Sequence, residues 1–298
     1  MYRFWDTITG PVLEALRPES IVEIGSDYGP NTRRLLEFCR RHGARLHVID
    51  PLPKYNVAAW QEQYGEHLIF HQAPSLDALP EIDRFDAVFI DGDHNWYTVF
   101  HELKLIEERC KALSQPFPLV MLHDVGWPYG RRDGYYDPDG IPDEYRNPYE
   151  RKGMRPGSSD LVEEDGLNPN FPNATSENDP RNGVLTAVED FLEQMKQEVE
   201  VMRVPGFHGL GILVPSRLKQ QNAKLAEFLD VLDLPPIVAR YVELVEEARV
   251  EAEIERQENK ALAQENRRLK QQLQDIQSSR GWRLLTKLGL LRVRILGR

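Results

Sequence analysis

Short apolar and β-branched runs recur through the first half of this chain: SIVEIG (20–25), RLHVID (45–50), LIFHQA (68–73), DAVFIDG (86–92) and PLVMLHD (118–124). Between them, TRRLLEFCRRHG and WYTVFHELKLIEERCKAL return apolar residues every three or four positions, the spacing that lays one face of a helix on a sheet. Strands joined by crossover helices run parallel, and strands that are apolar without alternation are covered on both faces. The expectation is an α/β domain. A further helix, VLTAVEDFLEQMKQ, and two strand-like runs, VEVMRV and LGILVP, complete a seven-stranded, mostly parallel sheet near Pro215.

Two regions break the rhythm. After Asp124 comes a long polar stretch rich in Gly, Pro, Asp and Asn, and residues 129–183 read as an irregular lid and acceptor region over a cleft. Beyond a linker at 219–236, the pattern becomes heptads. Val238, Val245, Ala252, Asn259, Asn266 and Leu273 share one position, with Tyr241, Ala248, Glu255, Leu262, Leu269 and Ile276 three later. This is the a/d seam of a coiled coil over 237–279, clean in its last three repeats and poor at Glu255. Asn at successive a positions favours two parallel strands in register, hence a homodimer. The other reading of the segment is a single solvated helix.

Charge narrows the partners. The formal net charge is -11, which argues against nucleic acid, whose phosphates select basic faces. Residues 280–298 are the exception, with six basic residues and no acidic one. Two cysteines, Cys39 and Cys110, make no disulfide framework and point to a reducing cytoplasm. MYRFWDTITG has no basic segment followed by an apolar run, and no spanning stretch occurs, so neither secretion nor a membrane-crossing helix is expected.

The chemistry sits at strand ends. The first strand and its turn read VEIGSDYGPNT, with Glu23, Gly25, Ser26 and Gly29, and the second strand ends at Asp50. Glycines there let backbone approach a ligand, and an acid one βα unit later can accept ribose hydroxyls. The pyrophosphate fingerprint GxGxxG is lacking, which counts against NAD or FAD. The bland alternative is a tight βα turn. FDAVFIDGDHNW and VMLHDVGWP put Asp91, His94, His123 and Asp124 at the ends of neighbouring strands, where open α/β sheets bind ligands. Three of these could hold a divalent cation: carboxylates suit Mg²⁺ or Mn²⁺, and a His moves the preference toward Mn²⁺, Fe²⁺ or Zn²⁺. Alternatively, Asp91 caps the next helix, His94 pairs with Asp93, and His123 with Asp124 is a bonded strand end. Asp27, Tyr28, Trp96, Trp127, Tyr129, Arg131, Arg132 and His208 are further candidates for the cleft wall, each with an equally good packing or solvated role.

The spacing E-x-G-x-x-x-G at Glu23, Gly25 and Gly29, with Asp50 following, resembles motif I of class I S-adenosylmethionine (SAM) dependent methyltransferases. IDGDH followed by a strand ending in HD resembles the methyltransferase 24 type, which includes the macrolide sugar O-methyltransferases and cephalosporin hydroxylase-like proteins, over about Ile21 to Pro215. The resemblance implies a Rossmann-like domain over 1–218. It implies SAM held by Glu23, Gly25, Ser26, Gly29, Asp50 and Asp91, a metal held by Asp91 and Asp124, to which the strand-end reading adds His123, and His94 as base. His123 departs from the pattern, standing where the macrolide enzymes carry Glu. The activity implied is methylation of a sugar hydroxyl in surface polysaccharide or glycoconjugate assembly. The rivals are a metal-independent small-molecule O-methyltransferase and a catalytically silent scaffold for glycosyltransferases.

The tail, SSRGWRLLTKLGLLRVRILGR, sets Trp282, Leu285, Leu288 and Leu291 or Ile295 at helical spacing among Arg283, Lys287, Arg292, Arg294 and Arg298. A basic amphipathic helix of this kind suits an anionic membrane surface or a protein partner. The segment also resembles the endings of bacterial polysaccharide glycosyltransferases and their companion methyltransferases, which implies work at the cytoplasmic face of the inner membrane.

Overall fold

The computed structural model describes residues 1–279 and 281–284. Strands β1 (Ser20–Ile24), β2 (Arg45–Ile49), β3 (Leu68–His71), β4 (Ala87–Ile90) and β5 (Leu119–His123) alternate with helices α1 (Gly10–Leu16), α2 (Pro30–His42), α3 (Val57–Tyr64), α4 (Ser75–Ala78) and α5 (Trp96–Ala112). After a short antiparallel pair, β6 (Tyr149–Arg151) and β7 (Pro172–Ala174), come α6 (Val184–Gln194), β8 (Val199–Val204) and β9 (Leu210–Pro215). Helices α7 (Ser216–Gln221), α8 (Ala223–Leu232) and α9 (Pro236–Ser278) close the described chain.

The main sheet has seven strands in the order β3-β2-β1-β4-β5-β9-β8. Its first five strands are parallel, and β9 and β8 join antiparallel. This is the Rossmann-like, mostly parallel sheet that the alternation of runs predicts. Strand order reverses between β1 and β4, so the crossovers leave in opposite directions there and open a crevice at their carboxyl ends. Successive side chains of a strand face opposite ways. Val88, Ile90, Val120 and Leu122 accordingly enter the apolar layer under α5 and α6, while Ala87, Phe89, Leu119 and Met121 enter the layer that contains Leu35, Leu36 and Phe38 of α2.

Helix starts are marked locally. Asn95 caps α5 by accepting the Thr98 N–H at 2.8 Å, and Asn222 caps α8 by accepting the Leu225 N–H at 3.0 Å. The Asn222 amide also donates to the Ala15 carbonyl at 2.9 Å, and Leu225 and Leu229 are buried. Residues 219–236 are therefore not a linker. The amphipathic run AKLAEFLDVL buries its leucines against the domain, and this long-range packing outweighs the polar residues around it.

The stretch 129–183 is irregular but built around buried polar groups. Arg132 is 1% exposed and donates to the carbonyls of Ala174 and Ser159 and to Glu177. Arg131 forms a two-bond pair with Glu189. Neither arginine faces a cleft, because each satisfies acceptors of the segment or of α6. The backbone groups of so long a loop must find partners somewhere, and these side chains supply many of them.

The chain divides into two units, Met1–Arg249 and one beginning at Val250. This places the division inside α9 rather than at 218–237, because the residues before Val250 still bond to the domain: Glu246 accepts the His208 N–H at 2.9 Å. In the second unit α9 continues as one helix to Ser278, and Leu262, Leu269, Leu273 and Ile276 are all more than half exposed. The expected tail helix falls largely outside the described residues, including Arg280, Leu285, Lys287, Leu288, Leu291, Arg292, Arg294, Ile295 and Arg298. Among the described residues, no helix is long and apolar enough to cross a membrane.

Candidate active site

The crevice is assembled from the turns after β1, β2, β4 and β5. Gly25 follows β1 at φ +82°, and a Cβ there would collide with the Asp91 carbonyl and sit 2.5 Å from the Gly92 Cα. The glycine is demanded by the crossing of two strand ends, which brings the first turn against the fourth strand's turn. Gly29, at φ +78°, begins α2, and a Cβ there would collide with the Trp60 indole. Close approach is thus the reason for both glycines, and what approaches is protein.

Asp50 is the hinge of this arrangement. Its Oδ2 accepts the Ser26 N–H at 2.9 Å, the Ser26 hydroxyl at 2.7 Å and the Asp27 N–H at 3.0 Å, while Oδ1 accepts the Leu52 N–H at 2.8 Å. An anion receiving consecutive backbone donors holds a turn rigidly. Ser26 in turn receives the Tyr55 hydroxyl at 3.1 Å. Glu23 lies deeper, 1% exposed in mid β1, where its Oε1 accepts the Asn31 amide at 2.9 Å. Burial pushes its carboxyl up to about 7 against the lowering effect of Thr32 and Asn31. Glu23 serves the root of α2 rather than the open crevice.

At the ends of β4 and β5, Asp91, His123 and Asp124 come together. The His123 Nδ1 lies 2.7 Å from Asp124 Oδ2 and 3.2 Å from Asp91 Oδ1. One ligand atom from each lies within 4.8 Å of the others. Burial opposes charge on His123, but Asp124 and Asp91 outweigh it and hold the imidazole up at about 10. Burial likewise opposes charge on the two acids, and His123 overcomes it, keeping Asp91 down at about 2 and Asp124 below the ordinary carboxylate range. Asp124 has φ +60°, an uncommon conformation for a side chain with a Cβ. The Met1 amino group also lies 2.8 Å from Asp91 Oδ2.

Two carboxylates and an imidazole so close together suit a divalent cation, which would replace the His123 proton as the positive charge between Asp91 and Asp124 and free the imidazole lone pair as a ligand. Oxygen plus nitrogen donors admit Mg²⁺ or Mn²⁺, with the imidazole favouring the latter.

His94 completes the group. Its Nδ1 lies 3.4 Å from Asp124 Oδ2, and its ring stacks on Tyr129 at 5.0 Å and 13°. Tyr136 and Phe171 close around it at 5.5 and 6.5 Å. These three aromatic residues come from the irregular stretch, which therefore walls His94 on several sides. Asp93 accepts the His94 backbone N–H at 2.9 Å and the Thr98 hydroxyl and Tyr136 N–H at 3.4 Å each, so the His94 imidazole is left to Asp124. Asp91 caps no helix, since Asn95 does that.

The remaining candidates scatter. Tyr129 belongs to the site, and the Trp127 carbonyl lies 3.1 Å from His208 Nδ1. Asp27 pairs with Lys54 at 2.7 Å and Tyr28 is exposed. Trp96 is buried, its Nε1 donating to Asp190 at 2.7 Å, and takes no part in the crevice.

One central residue escapes sequence reasoning. Asp133 is fully buried, and its Oδ1 accepts the Trp96 and Gly183 N–H groups at 2.7 Å each, at the starts of α5 and α6. Its Oδ2 takes the Tyr135 hydroxyl at 2.8 Å and the Asn147 amide at 2.9 Å. A carboxylate at two helix N-termini is favoured by both dipoles. No local signal marks it, because its backbone partners lie 37 and 50 residues away.

Comparison with known proteins places this crevice in context. Residues 22–125 match the sequence model of a family described as a methyltransferase domain. The fold is similar to that of the SAH-bound methyltransferase PaMTH1 of Podospora anserina, at 17% identity over 69% of this chain and 76% of that one, TM-score 0.41. It is also similar to the 1,6-didemethyltoxoflavin N1-methyltransferase of Burkholderia thailandensis, solved with 1,6-didemethyltoxoflavin and S-adenosylhomocysteine, at 16% identity over 71% and 80% of the chains, TM-score 0.35. Among curated proteins, none matches the chain.

Proposed function

We propose, from the premise that residues 22–125 match a methyltransferase domain, that this chain is SAM-dependent and methylates a sugar hydroxyl with the help of a divalent cation, in the assembly of surface polysaccharide or glycoconjugate. The observation that carries the reading is the cluster of Asp91, His123 and Asp124, with His94 Nδ1 3.4 Å from Asp124, beside the turn that Asp50 organises.

The chemistry follows from the residues. A sugar hydroxyl is a weak nucleophile near neutral pH, and a cation bound at Asp91, His123 and Asp124 would supply Lewis acidity to it. SAM carries its own leaving group, so the protein's task is to align acceptor oxygen, methyl carbon and sulfur. Ser26, Gly25 and Gly29 form the turn that SAM abuts, fixed by Asp50 from below. His94, held by Asp124 and the Tyr129 ring, takes the hydroxyl proton on its imidazole. Tyr136 and Phe171 exclude water from that side.

The exposed seam of α9 supports a homodimer through a parallel coiled coil, because four large apolar side chains at heptad spacing gain cover only from another helix. The basic tail adds attraction to an anionic membrane face or to a glycosyltransferase, consistent with a peripheral enzyme on the cytoplasmic side.

The test is turnover with SAM and sugar acceptors before and after EDTA treatment, with Mg²⁺ or Mn²⁺ restored. Loss and recovery of methyl transfer supports the reading. EDTA-insensitive turnover leaves the metal-independent rival, and no SAM binding in calorimetry leaves the scaffold.

A further inference from the structure

Beside the first turn of α5 lies a cavity of about 280 Å³, bounded by that turn, the end of α6 and two residues of the irregular stretch, Tyr145 and Arg181. It contains none of the residues of the crevice. One wall is aromatic: Trp96 stacks on Phe100 at 4.7 Å and faces Tyr145 at 5.9 Å, within 16° of parallel. The rim is polar, and its groups are of both kinds. Asp190 spends one oxygen on the Trp96 Nε1–H, at 2.7 Å, and has the other to offer. The His101 Nδ1 lies 2.7 Å from the Tyr97 carbonyl, which puts the proton on that nitrogen and leaves Nε2 an acceptor. Glu193 adds a carboxylate. The Arg181 guanidinium lies 5.5 Å from the Trp96 ring centre and 5.4 Å from that of Tyr145, and among the described residues its side chain makes no hydrogen bond or ion pair.

We infer that this cavity binds one neutral sugar ring of a glycan, its C–H face against the aromatic wall and its hydroxyls among Arg181, Asp190, Glu193 and His101. A hydroxyl both donates and accepts, so a polyhydroxylated ring can use free donors and free acceptors together. An anionic ligand would meet Arg181 but also two carboxylates. A cation would meet the carboxylates, but Arg181 already stands over both rings where it would bind. The volume falls just below the range of ordinary ligand sites, which run from about 300 Å³ upward, and admits one ring rather than a chain.

Trp96 stands two residues after His94, so the cavity and the crevice are joined by one short turn. The inference rests on the glycan reading for its purpose: a second ring held here would orient the acceptor whose hydroxyl reaches His94. Its test is independent of turnover.

Full-length protein is titrated with methyl α-glucopyranoside, methyl α-mannopyranoside and methyl α-galactopyranoside, with glucuronate and choline as charged controls, read by saturation-transfer NMR and calorimetry. At least one neutral glycoside is expected to bind more tightly than both charged probes. Tyr145→Ala, in the aromatic wall, and Glu193→Ala, at the rim, with the fold of each variant checked by circular dichroism, should each weaken that binding ~10-fold, about 1.4 kcal/mol, with SAM affinity unchanged. Absence of binding by all three glycosides, preference for glucuronate or choline, or binding indifferent to both variants overturns the inference. Any of these with metal-dependent methyl transfer intact removes the cavity alone, whereas failure of transfer with glycoside binding intact removes the reading of the crevice.

Discussion

Asp50 accepts the Ser26 hydroxyl at 2.7 Å, so the acid that ends β2 fixes the turn between β1 and α2. Three donors of the turn, two of them backbone, converge on a single carboxylate oxygen. Removing that oxygen frees the turn against which SAM would pack.

Asp50→Ala should therefore weaken SAM binding about 10-fold or more, the scale of a lost hydrogen bond to a charged group. Calorimetric titration with SAM measures it, and Asp50→Asn, which keeps one acceptor, should lose less. An unchanged affinity would detach the turn from cofactor binding.

His94→Ala should lower the methyl-transfer rate ~10²-fold with SAM affinity preserved, since the imidazole contacts Asp124 and the aromatic residues rather than the turn after β1. Single-turnover kinetics separates the two effects.

Glu102 is fully buried on α5, bonded among the described residues only to the Ser75 hydroxyl at 2.5 Å, and burial pushes its carboxyl up to about 8 against the lowering effect of that bond. The folded protein keeps this proton where the unfolded chain releases it near the ordinary value of 4.5. Stability is then fully present below about pH 4.5 and is lost as pH rises toward about 8, with a slope of up to about 1.4 kcal/mol per pH unit. Glu23, raised to about 7, works in the same direction. In urea denaturation from pH 5 to 8, Glu102→Gln should flatten the decline, because a neutral amide has no proton to lose.

Asp133→Ala should destabilise the fold by about 1–3 kcal/mol for each buried donor left without a partner, the Trp96 and Gly183 N–H groups first among them. Chemical denaturation reads the loss, and a change under 1 kcal/mol would mean that water replaces the carboxylate.

Leu262→Lys together with Leu269→Lys should convert a dimer to a monomer, because both positions belong to the seam that a second helix would cover and both are more than half exposed in the single chain. Sedimentation velocity measures the mass. Unchanged mass would place the dimer contact elsewhere or remove it.

The strands and crossover helices were legible because hydrophobic periodicity is a local property, carried by neighbours such as Ala87 to Ile90 whatever the rest of the chain does. Asp91, His94, His123 and Asp124 were legible for a related reason: each sits at or just after a strand's carboxyl end, and a parallel sheet gathers such ends along one edge. The heptad spacing along α9 is a repeat and reads directly, although where the domain stops supporting that helix does not.

Other features depended on the path of the chain. Gly25 reads as room for a ligand, and only the structure shows that its missing Cβ also makes room for the Asp91 carbonyl. The leucines of α8 read as part of a linker until α1 and its neighbours offered them cover.

What the sequence determined by itself was the class of the fold, the sheet edge where Asp91, His94, His123 and Asp124 gather and the heptad spacing of the last helix, all set by spacing within a few residues. Only the tertiary structure decided which acid holds which turn, that Asp133 joins two helix starts, and that Trp96 lines a second cavity. Hydrogen bonds and close packing reach only a few ångströms, so partners 37 or 50 residues apart are paired by the folded path and by nothing local.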